Sequence, residues 1–280
     1  MLKKEDIRIR DPFILTDTEN GCYYMYGTTA LLPGTLSTTA SFSVYKTHDL
    51  EHFEEPKVIF EGDEHFWATK DFWAPEVHRY NGKYYLFGSF KHPDRCRGTQ
   101  ILVCDTPDGR FVPVSDAPAT PADWECLDGT FWVENGTPYM IFCHEWLQIK
   151  DGEICAMPLT ADLSAAAGEP VKLFSASDHP SVTDLGARHP GCYVTDGPFL
   201  FEEEGKLKMI WSSFHQGRYL VLEAESERGV LGPWHHLPPR FDFDGGHAMI
   251  FTALDGKQYF SLHAPNVPPC ERMKFIEYKK

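Results

Sequence analysis

The segment Gly21-Cys-Tyr-Tyr-Met-Tyr-Gly27 decides the fold, because related versions of it return further along the chain. The later copies are Gly82–Gly88 (GKYYLFG), Gly136–Phe142 (GTPYMIF), Gly205–Trp211 (GKLKMIW) and Gly256–Leu262 (GKQYFSL). A short apolar run begins eight to ten residues before each copy. Self-similarity at such an interval indicates a repeat architecture.

Each repeat reads as an apolar strand, a glycine turn and an aromatic strand, and later strands follow in several repeats. Such later strands are visible at Phe42–Tyr45, Ile101–Cys104 and Tyr219–Leu222. Five repeats of about four antiparallel strands each predict an all-β fold, a single five-bladed β-propeller. A two-sheet sandwich would not explain the fivefold repetition. Because no linker or low-complexity tract divides the chain, residues 1–280 are predicted to form one domain.

Composition limits the partners of the protein. The 280 residues carry a net charge of −15 with no basic stripe, which argues against nucleic-acid binding. No apolar run is long enough to span a membrane, and the first residues lack the apolar segment of a secretory signal. We therefore expect a cytoplasmic protein that acts on a neutral small molecule or oligosaccharide. The eight cysteines are scattered and are expected to be free thiols.

Polar residues recur where the inner strands start. In an antiparallel blade, the start of the first strand and the end of the second lie at the same face. The starts supply Asp11, Asp128, Asp196 and His247, and Glu76 lies two residues into its strand. Converging carboxylates raise each other's pKa, and such groups concentrate at functional sites. Three aspartates at one register therefore favour an active site over an ordinary role in turns.

The ends of the second strands add further candidates. They bring Glu145 and Trp146 to the same face, and Trp73 lies beside a strand start. Paired carboxylates without another nucleophile–base arrangement favour glycoside hydrolysis. The two tryptophans are predicted to contact the sugar, with Glu76 and Arg272 as additional substrate-binding candidates.

The chain resembles glycoside hydrolase family 43 at segments spread along nearly its whole length. They are Arg10–Ile14 (RDPFI), Phe72–Val77 (FWAPEV), Leu127–Phe131 (LDGTF), Tyr139–Trp146 (YMIFCHEW), Thr195–Phe199 (TDGPF) and Gly245–Met249 (GHAM after Gly245). The resemblance implies a five-bladed propeller that hydrolyses glycosides with inversion. An inverting mechanism places the base and the acid about 6.5–9.5 Å apart.

The resemblance also implies roles for individual carboxylates. Asp11 matches the general base, and Asp128 matches the auxiliary carboxylate that raises the pKa of the acid. Asp196 stands where the family has its general acid, which is normally the Glu of a Glu-Gly-Pro run. Asp is one methylene shorter, so Glu145 is the rival acid, and Glu76 is a weaker rival.

His247 resembles the axial histidine of the family, which in some members helps to hold a calcium ion in the central channel. We expect no required cofactor, and a structural calcium at His247 is the metal that the resemblance suggests. The alternative is a histidine bonded to its neighbours and water, because calcium prefers oxygen ligands.

Family substrates are mostly α-L-arabinofuranosides and β-D-xylosides, so the chain is predicted to remove terminal pentose residues from oligosaccharides or polysaccharide side chains. Two alternatives stay open: a galactofuranoside-type glycosidase of the same family, and a non-catalytic carbohydrate-binding propeller in which Asp196 marks a lost acid. A retaining fructan enzyme of the same five-bladed form is a more distant reading. Loops are expected to set specificity, and the candidates are residues 31–39, 92–98 and 179–193.

Overall fold

Five antiparallel β-sheets surround a central axis in the computed structural model, which describes residues 1–29 and 40–279. Blade one contains β1 (Leu2–Lys3), β2 (Arg10–Asp17), β3 (Cys22–Thr28), β4 (Ser41–Thr47), β5 (His52–Phe53) and β6 (Lys57–Glu61). Blade two contains β7 (Lys70–Tyr80), β8 (Lys83–His92), β9 (Arg95–Cys104) and β10 (Val112–Pro113). Blade three contains β11 (Cys126–Glu134), β12 (Thr137–His144), β13 (Glu153–Pro158) and β14 (Val171–Ser175).

Blade four contains β15 (Asp196–Glu203), β16 (Lys206–His215), β17 (Arg218–Ser226) and β18 (Trp234–Leu237), and blade five contains β19 (Gly246–Thr252), β20 (Gln258–Ala264) and β21 (Arg272–Glu277). Among the described residues the helical elements are α1 (Trp146–Ile149) and the 3-10 turns Lys4–Asp6, Ala176–Asp178 and Gly186–Arg188. The strands β2, β7, β11, β15 and β19 contact one another in a closed ring around the axis. The predicted all-β fold, with five blades of about four strands, is confirmed.

Aromatic side chains of the repeated strands pack between the blades. Phe42 of blade one lies 5.4 Å from Phe90 of blade two, and Phe72 lies 4.7 Å from Phe90, measured between ring centroids. Gly88 makes this packing fit, since a Cβ there would lie 2.7 Å from the Phe42 ring. Aromatic pairs at these distances contribute to stability beyond the area they bury.

Every inner strand starts with a β-bulge. The pairing with the second strand shifts at the same place in each blade, and one residue there has a positive φ of 46–54°. These bulge residues are Asp11, Ala74, Asp128, Gly197 and His247. For a residue other than glycine this conformation costs about 1–2 kcal/mol, and such strain concentrates at functional sites.

The bulges correct one expectation from the sequence. Asp196 does not share the register of Asp11 and Asp128, because Gly197 occupies the bulge of blade four. Asp196 lies one residue earlier and pairs with Ser212. The acid candidate therefore approaches the axis from a different backbone position than the other two aspartates.

The first residues close the ring of blades. β1 pairs with β5 of blade one, while Arg8 forms a bridge with Arg272 of blade five. The Arg272 guanidinium donates hydrogen bonds to the backbone oxygens of Glu5, Pro269 and Glu271. This arginine therefore fastens the N-terminal segment to blade five.

The described part of the chain contains no helix that is both long and apolar enough to cross a bilayer. All eight cysteines are free thiols, as predicted, and Cys22, Cys126, Cys143 and Cys155 are buried.

Candidate active site

A cavity of about 630 Å³ opens at the face where the inner strands start. Its lining includes Asp11, Asp128, Asp196 and His247 near the axis, and its walls come from several blades. Among the wall residues are Arg10, Trp73, Glu145, Trp146, Leu185, Arg188, Tyr219, Asn266 and Pro268. The cavity thus unites seven of the nine site residues predicted from the sequence.

Asp11 is held as a carboxylate. Its Oδ1 lies 3.1 Å from Nδ1 of His247, and its Oδ2 accepts a 2.6 Å hydrogen bond from the Thr28 hydroxyl. Burial alone would raise the pKa of Asp11, but His247 and Arg10 lower it below its usual value. The same carboxylates raise the pKa of the buried His247. Asp11 is therefore ionised at neutral pH and can accept a proton from water.

The pKa of Asp196 is shifted in the opposite direction. Burial, and next the charge of Asp128, raise the pKa of Asp196 to about 7. The Tyr219 hydroxyl donates a 3.0 Å hydrogen bond to its Oδ2. This hydrogen bond favours the ionised form of Asp196, but burial and Asp128 outweigh it. One cavity therefore combines a carboxyl group with a lowered pKa and a carboxyl group with a raised pKa.

Asp128 is connected to Asp11 through His247 and to Asp196 through the backbone amide of Gly197. Its Oδ2 accepts a 3.0 Å hydrogen bond from the Gly197 amide and lies 3.8 Å from Nδ1 of His247. Burial raises the pKa of Asp128 to about 6, with His247 opposing the rise. Its negative charge in turn raises the pKa of Asp196.

The rival acid Glu145 is engaged in an ion pair. Its Oε2 lies 3.4 Å from Nε of Arg97, whose guanidinium lies 4.0 Å from the centroid of the Trp73 ring and 3.4 Å from Asp71. Burial raises the pKa of Glu145, but Arg97 stabilises its ionised form. Glu145 lines the cavity but is held by Arg97, which also supports Trp73. Because this ion pair favours an ionised Glu145, Asp196 is the better acid candidate.

Two predicted substrate-binding residues lie elsewhere. Glu76 is buried in the second layer along the axis, where its carboxylate accepts a 2.6 Å hydrogen bond from Thr130 and lies 3.0 Å from Nε2 of His78. Arg272 is occupied at the junction of the N-terminal segment and blade five. Since neither lines the cavity, the structure corrects both assignments and places Arg10 and Arg188 there instead.

The donors around His247 do not fit a calcium site. Nδ1 faces the carboxylates of Asp11 and Asp128, and a Cβ on Gly197 would lie 2.7 Å from the imidazole ring. In the parts of the chain that the structure describes, no three His, Cys, Asp or Glu side chains are grouped to hold a metal ion. A histidine between two acids is an ion-pair partner, and calcium prefers oxygen ligands.

His263 is neutral although its Nδ1 lies 3.4 Å from Asp11 Oδ1. Nδ1 accepts the backbone N–H of Asp11 at 3.2 Å, while Nε2 lies 3.2 Å from Oδ1 of Asn266. The proton therefore belongs on Nε2. Burial and the nearby Arg10 lower the pKa of His263 to about 3. This histidine supports the backbone of Asp11 rather than its charge.

The backbone amides of the bulges form a further pattern, which we call the amide ring. In four blades the bulge N–H donates to a side chain at the end of the second strand of the preceding blade. The pairs are Ala74 to Thr28 (2.7 Å), Asp128 to Ser89 (2.8 Å), His247 to Ser212 (2.8 Å) and Asp11 to His263 (3.2 Å). The fifth amide, that of Gly197, donates to the Asp128 carboxylate instead.

Sequence reasoning missed Tyr219. It is the second residue of β17, and it reaches the cavity because the β16–β17 hairpin turns at the same face. The sequence signal for it is the Gln216-Gly217 pair directly after the second strand, which indicates a tight turn at this face. Both residues have positive φ in the structure.

Two of the predicted specificity loops can be placed. Residues 179–193 contribute Leu185 and Arg188 to the cavity, and Trp146 contacts His189 of this loop at 4.9 Å between ring centroids. Residues 92–98 contribute Arg97, which supports Trp73 from behind. Residues 31–39 lie outside the described residues.

The family model for glycosyl hydrolases family 43 matches residues 6–277. The solved structure of an endo-arabinase from Bacteroides thetaiotaomicron is 39% identical, with 100% of this chain and 97% of that chain covered and a TM-score of 0.92. An α-L-arabinofuranosidase from Lactobacillus brevis shares the fold at 18% identity, with a TM-score of 0.78 over 99% of this chain and 94% of that chain.

Among curated proteins, a xylosidase/arabinosidase 43A from Humicola insolens is 25% identical over 108 residues. That match covers 36% of this chain and 32% of the Humicola protein, so it spans about a third of that relative's length.

Proposed function

This chain belongs to glycosyl hydrolase family 43, a family of inverting glycosidases, and we propose that it cleaves α-L-arabinofuranosyl linkages of arabinan-type saccharides. The observation that carries this proposal is that Asp11, whose pKa is lowered, and Asp196, whose pKa is raised to about 7, line one cavity. The sugar class is supported by the 39% identity to an endo-arabinase along the whole chain.

In the proposed reaction, Asp11 removes a proton from the attacking water and Asp196 donates a proton to the leaving oxygen. Inversion follows because water attacks the anomeric carbon directly, on the face opposite the leaving group. Asp128 raises the pKa of Asp196 by its charge, and His247, whose own pKa the carboxylates raise, offsets the charge of Asp11 and Asp128. Separate environments thus give three aspartates separate roles.

Trp73 and Trp146 are proposed to bind the sugar through their ring faces. Trp73 is fixed from behind by the Arg97–Glu145 pair, and Trp146 begins α1 directly after Glu145. A rigid aromatic surface loses little side-chain entropy on binding, so this support favours affinity.

We propose more specifically that terminal residues are removed, because walls from several parts of the chain bound the cavity. The cavity has walls from blades two and three at Trp73 and Trp146, from the 179–193 loop at Arg188, and from blade five at Pro268. The similarity to an endo-arabinase favours a second candidate, cleavage within the arabinan chain. The similarity to a xylosidase/arabinosidase makes β-D-xylosides a further substrate to compare.

The substrate test compares nitrophenyl α-L-arabinofuranoside, β-D-xyloside and β-D-galactofuranoside, together with linear α-1,5-arabinan. We expect kcat/KM to be highest for the arabinose-based substrates, and arabinose to be the first product from arabinan. Oligosaccharides as first products would favour the endo alternative. Lack of hydrolysis of every substrate by the wild-type protein, with retained binding of arabinan, would favour the non-catalytic alternative.

The Asp11→Asn variant tests the mechanism. Loss of the general base should lower kcat by about 10²–10⁴-fold or more, with little change in the unfolding temperature. Asp17→Asn, at the other end of the same strand, is the matched control and should keep its activity. If Asp11→Asn hydrolyses arabinofuranosides as fast as wild type, the proposed mechanism is wrong.

A further inference from the structure

Four of the five amides in the amide ring donate to the same kind of position, a side chain at the end of the second strand of the preceding blade. The four acceptors are Thr28, Ser89, Ser212 and His263, which lie in blades one, two, four and five. Each acceptor pairs with the residue just before the bulge of its own blade. Each of them has a hydroxyl or an imidazole nitrogen that can accept an N–H. The equivalent position in blade three is Cys143, which pairs with Leu127.

Cys143 lacks a comparable acceptor. Its thiol is buried, and a thiol sulfur accepts hydrogen bonds only weakly. A buried backbone N–H that lacks a partner is costly, so the Gly197 amide must find another one. The structure shows that it donates to Oδ2 of Asp128 at 3.0 Å.

This exception lies where the chemistry requires two carboxylates close together. Gly197 follows Asp196 directly in the chain, so the hydrogen bond ties the Asp128 carboxylate to the backbone that carries the proposed acid. The other Asp128 oxygen, Oδ1, lies 3.5 Å from the Ser89 hydroxyl, at the limit of a hydrogen bond. The Gly197 amide is therefore the stronger of these two contacts that orient Asp128.

We propose that Cys143 is a positioning residue for Asp128: by failing to accept the Gly197 amide, it leaves that N–H to the Asp128 carboxylate. Its effect on turnover rests on the role proposed above for Asp128. A serine at this position would place a hydroxyl where Ser89 and Ser212 accept the next bulge amide at 2.8 Å. Cys143→Ser should therefore draw the Gly197 amide away from Asp128, whereas Cys143→Ala offers no acceptor.

The pair of variants separates positioning from packing. Both substitutions reduce buried volume, and serine also buries a hydroxyl, so a role in packing alone predicts lower stability in both variants with similar kcat in the folded proteins. Positioning predicts instead that kcat separates the two variants. We expect kcat on arabinofuranosides to fall by about tenfold or more in Cys143→Ser, the effect of one hydrogen bond to a charged group, and to stay within about twofold in Cys143→Ala.

Cys155→Ser is the matched control. Cys155 is a buried thiol in the neighbouring strand β13 and does not line the cavity, so this change should lower stability without lowering kcat. The proposal is overturned if Cys143→Ser keeps wild-type kcat, or if Cys143→Ala loses as much activity as Cys143→Ser.

Crystal structures of the two variants give a readout that needs no substrate. The Gly197 N to Asp128 Oδ2 distance should stay near 3.0 Å in Cys143→Ala and exceed hydrogen-bond length in Cys143→Ser, with the amide directed at the new hydroxyl. If the hydrogen bond moves but even the wild type cleaves no glycoside, the proposed function fails while the inference holds. If the wild type is active and the bond does not move, the inference fails alone.

Discussion

At the scale of single residues, three aspartates in one cavity have three different acidities. The pKa of Asp11 is below its usual value, that of Asp128 is about 6 and that of Asp196 is about 7. All three are largely shielded from water, which by itself raises a carboxyl pKa. Asp11 has the His247 imidazole 3.1 Å away, while Asp196 has the charge of Asp128 beside it. Neighbouring charges, rather than residue type, therefore separate the proposed base from the proposed acid.

The identity of the acid can be tested by comparing leaving groups. Asp196→Asn should lose most of its activity on arabino-oligosaccharides but keep much of it on an aryl arabinofuranoside whose leaving group needs no proton. Glu145→Gln should weaken both reactions to a similar degree, since Glu145 supports Trp73 through Arg97. The kcat/KM ratio of the two substrates measures the difference, and the reverse result would make Glu145 the acid.

Tyr219 should influence the pH dependence of the reaction. Asp196 must be protonated to act, so kcat/KM should decline as the pH rises through about 7. The Tyr219 hydroxyl donates to Asp196 and favours its ionised form. Tyr219→Phe should therefore move this decline to higher pH, by about half a unit to one unit, while lowering kcat.

Tyr259→Phe in blade five removes a hydroxyl that does not line the cavity and is the control for this experiment. An unchanged or lowered alkaline limit in Tyr219→Phe would contradict the assigned hydrogen bond.

At the scale of elements, the β-bulge determines what each inner strand presents to the axis. Two residues of the inner strand oppose one of the second strand, and the bulge residue has a positive φ in all five blades. The positive φ strains the backbone at Asp11, Asp128 and His247, which line the cavity near the axis. In blade four a glycine avoids the strain and leaves room for His247.

Gly197→Ala tests the importance of that space. A Cβ at Gly197 would lie 2.7 Å from the His247 imidazole, whereas a Cβ at Gly136 would meet no atom within 4 Å, and both glycines have positive φ. Both substitutions should destabilise the protein by about 1 kcal/mol through backbone strain. Only Gly197→Ala should also lower kcat by tenfold or more, because the imidazole must move away from Asp11. Equal activity of the two variants in parallel kinetic and thermal assays would disprove this.

At the scale of the whole molecule, the ring must be closed for the cavity to exist, because residues of blades one and five both line it. The closure depends on contacts of the first residues with blade five, among them the Arg8–Arg272 bridge and the 3.0 Å pair of Arg8 with the buried Glu271. Glu271 also lies 3.4 Å from Arg10 of the cavity. The closure and one wall of the site thus share a carboxylate.

Arg272→Gln should weaken this closure without changing catalysis. The loss of charged hydrogen bonds to backbone oxygens is worth about 1–2 kcal/mol, which corresponds to a decrease in Tm of about 2–8 °C for a chain of this size. KM on a short substrate should stay unchanged. The exposed Arg110→Gln controls for the loss of one positive charge. A raised KM with an unchanged Tm would restore Arg272 as a substrate-binding residue.

The sequence was sufficient for the repeat and for most of the cavity. The Gly-aromatic motif recurs because every blade must turn tightly and then pack aromatic side chains against its neighbour, and this local requirement is visible in any one repeat. The strand starts and ends pointed to Asp11, Asp128, Asp196 and Glu145 for a similarly local reason, since antiparallel pairing fixes which ends meet.

What depends on contacts between blades was decided only by the tertiary structure. The bulge set Asp196 one residue away from the register of Asp11, and the hairpin of blade four brought Tyr219 to the acid. The pairing with Arg97 turned Glu145 into a support for Trp73, and ring closure occupied Arg272. The physical reason is that charge, burial and hydrogen-bond competition depend on neighbours 20 to more than 200 positions away in the chain, which a local sequence pattern does not encode.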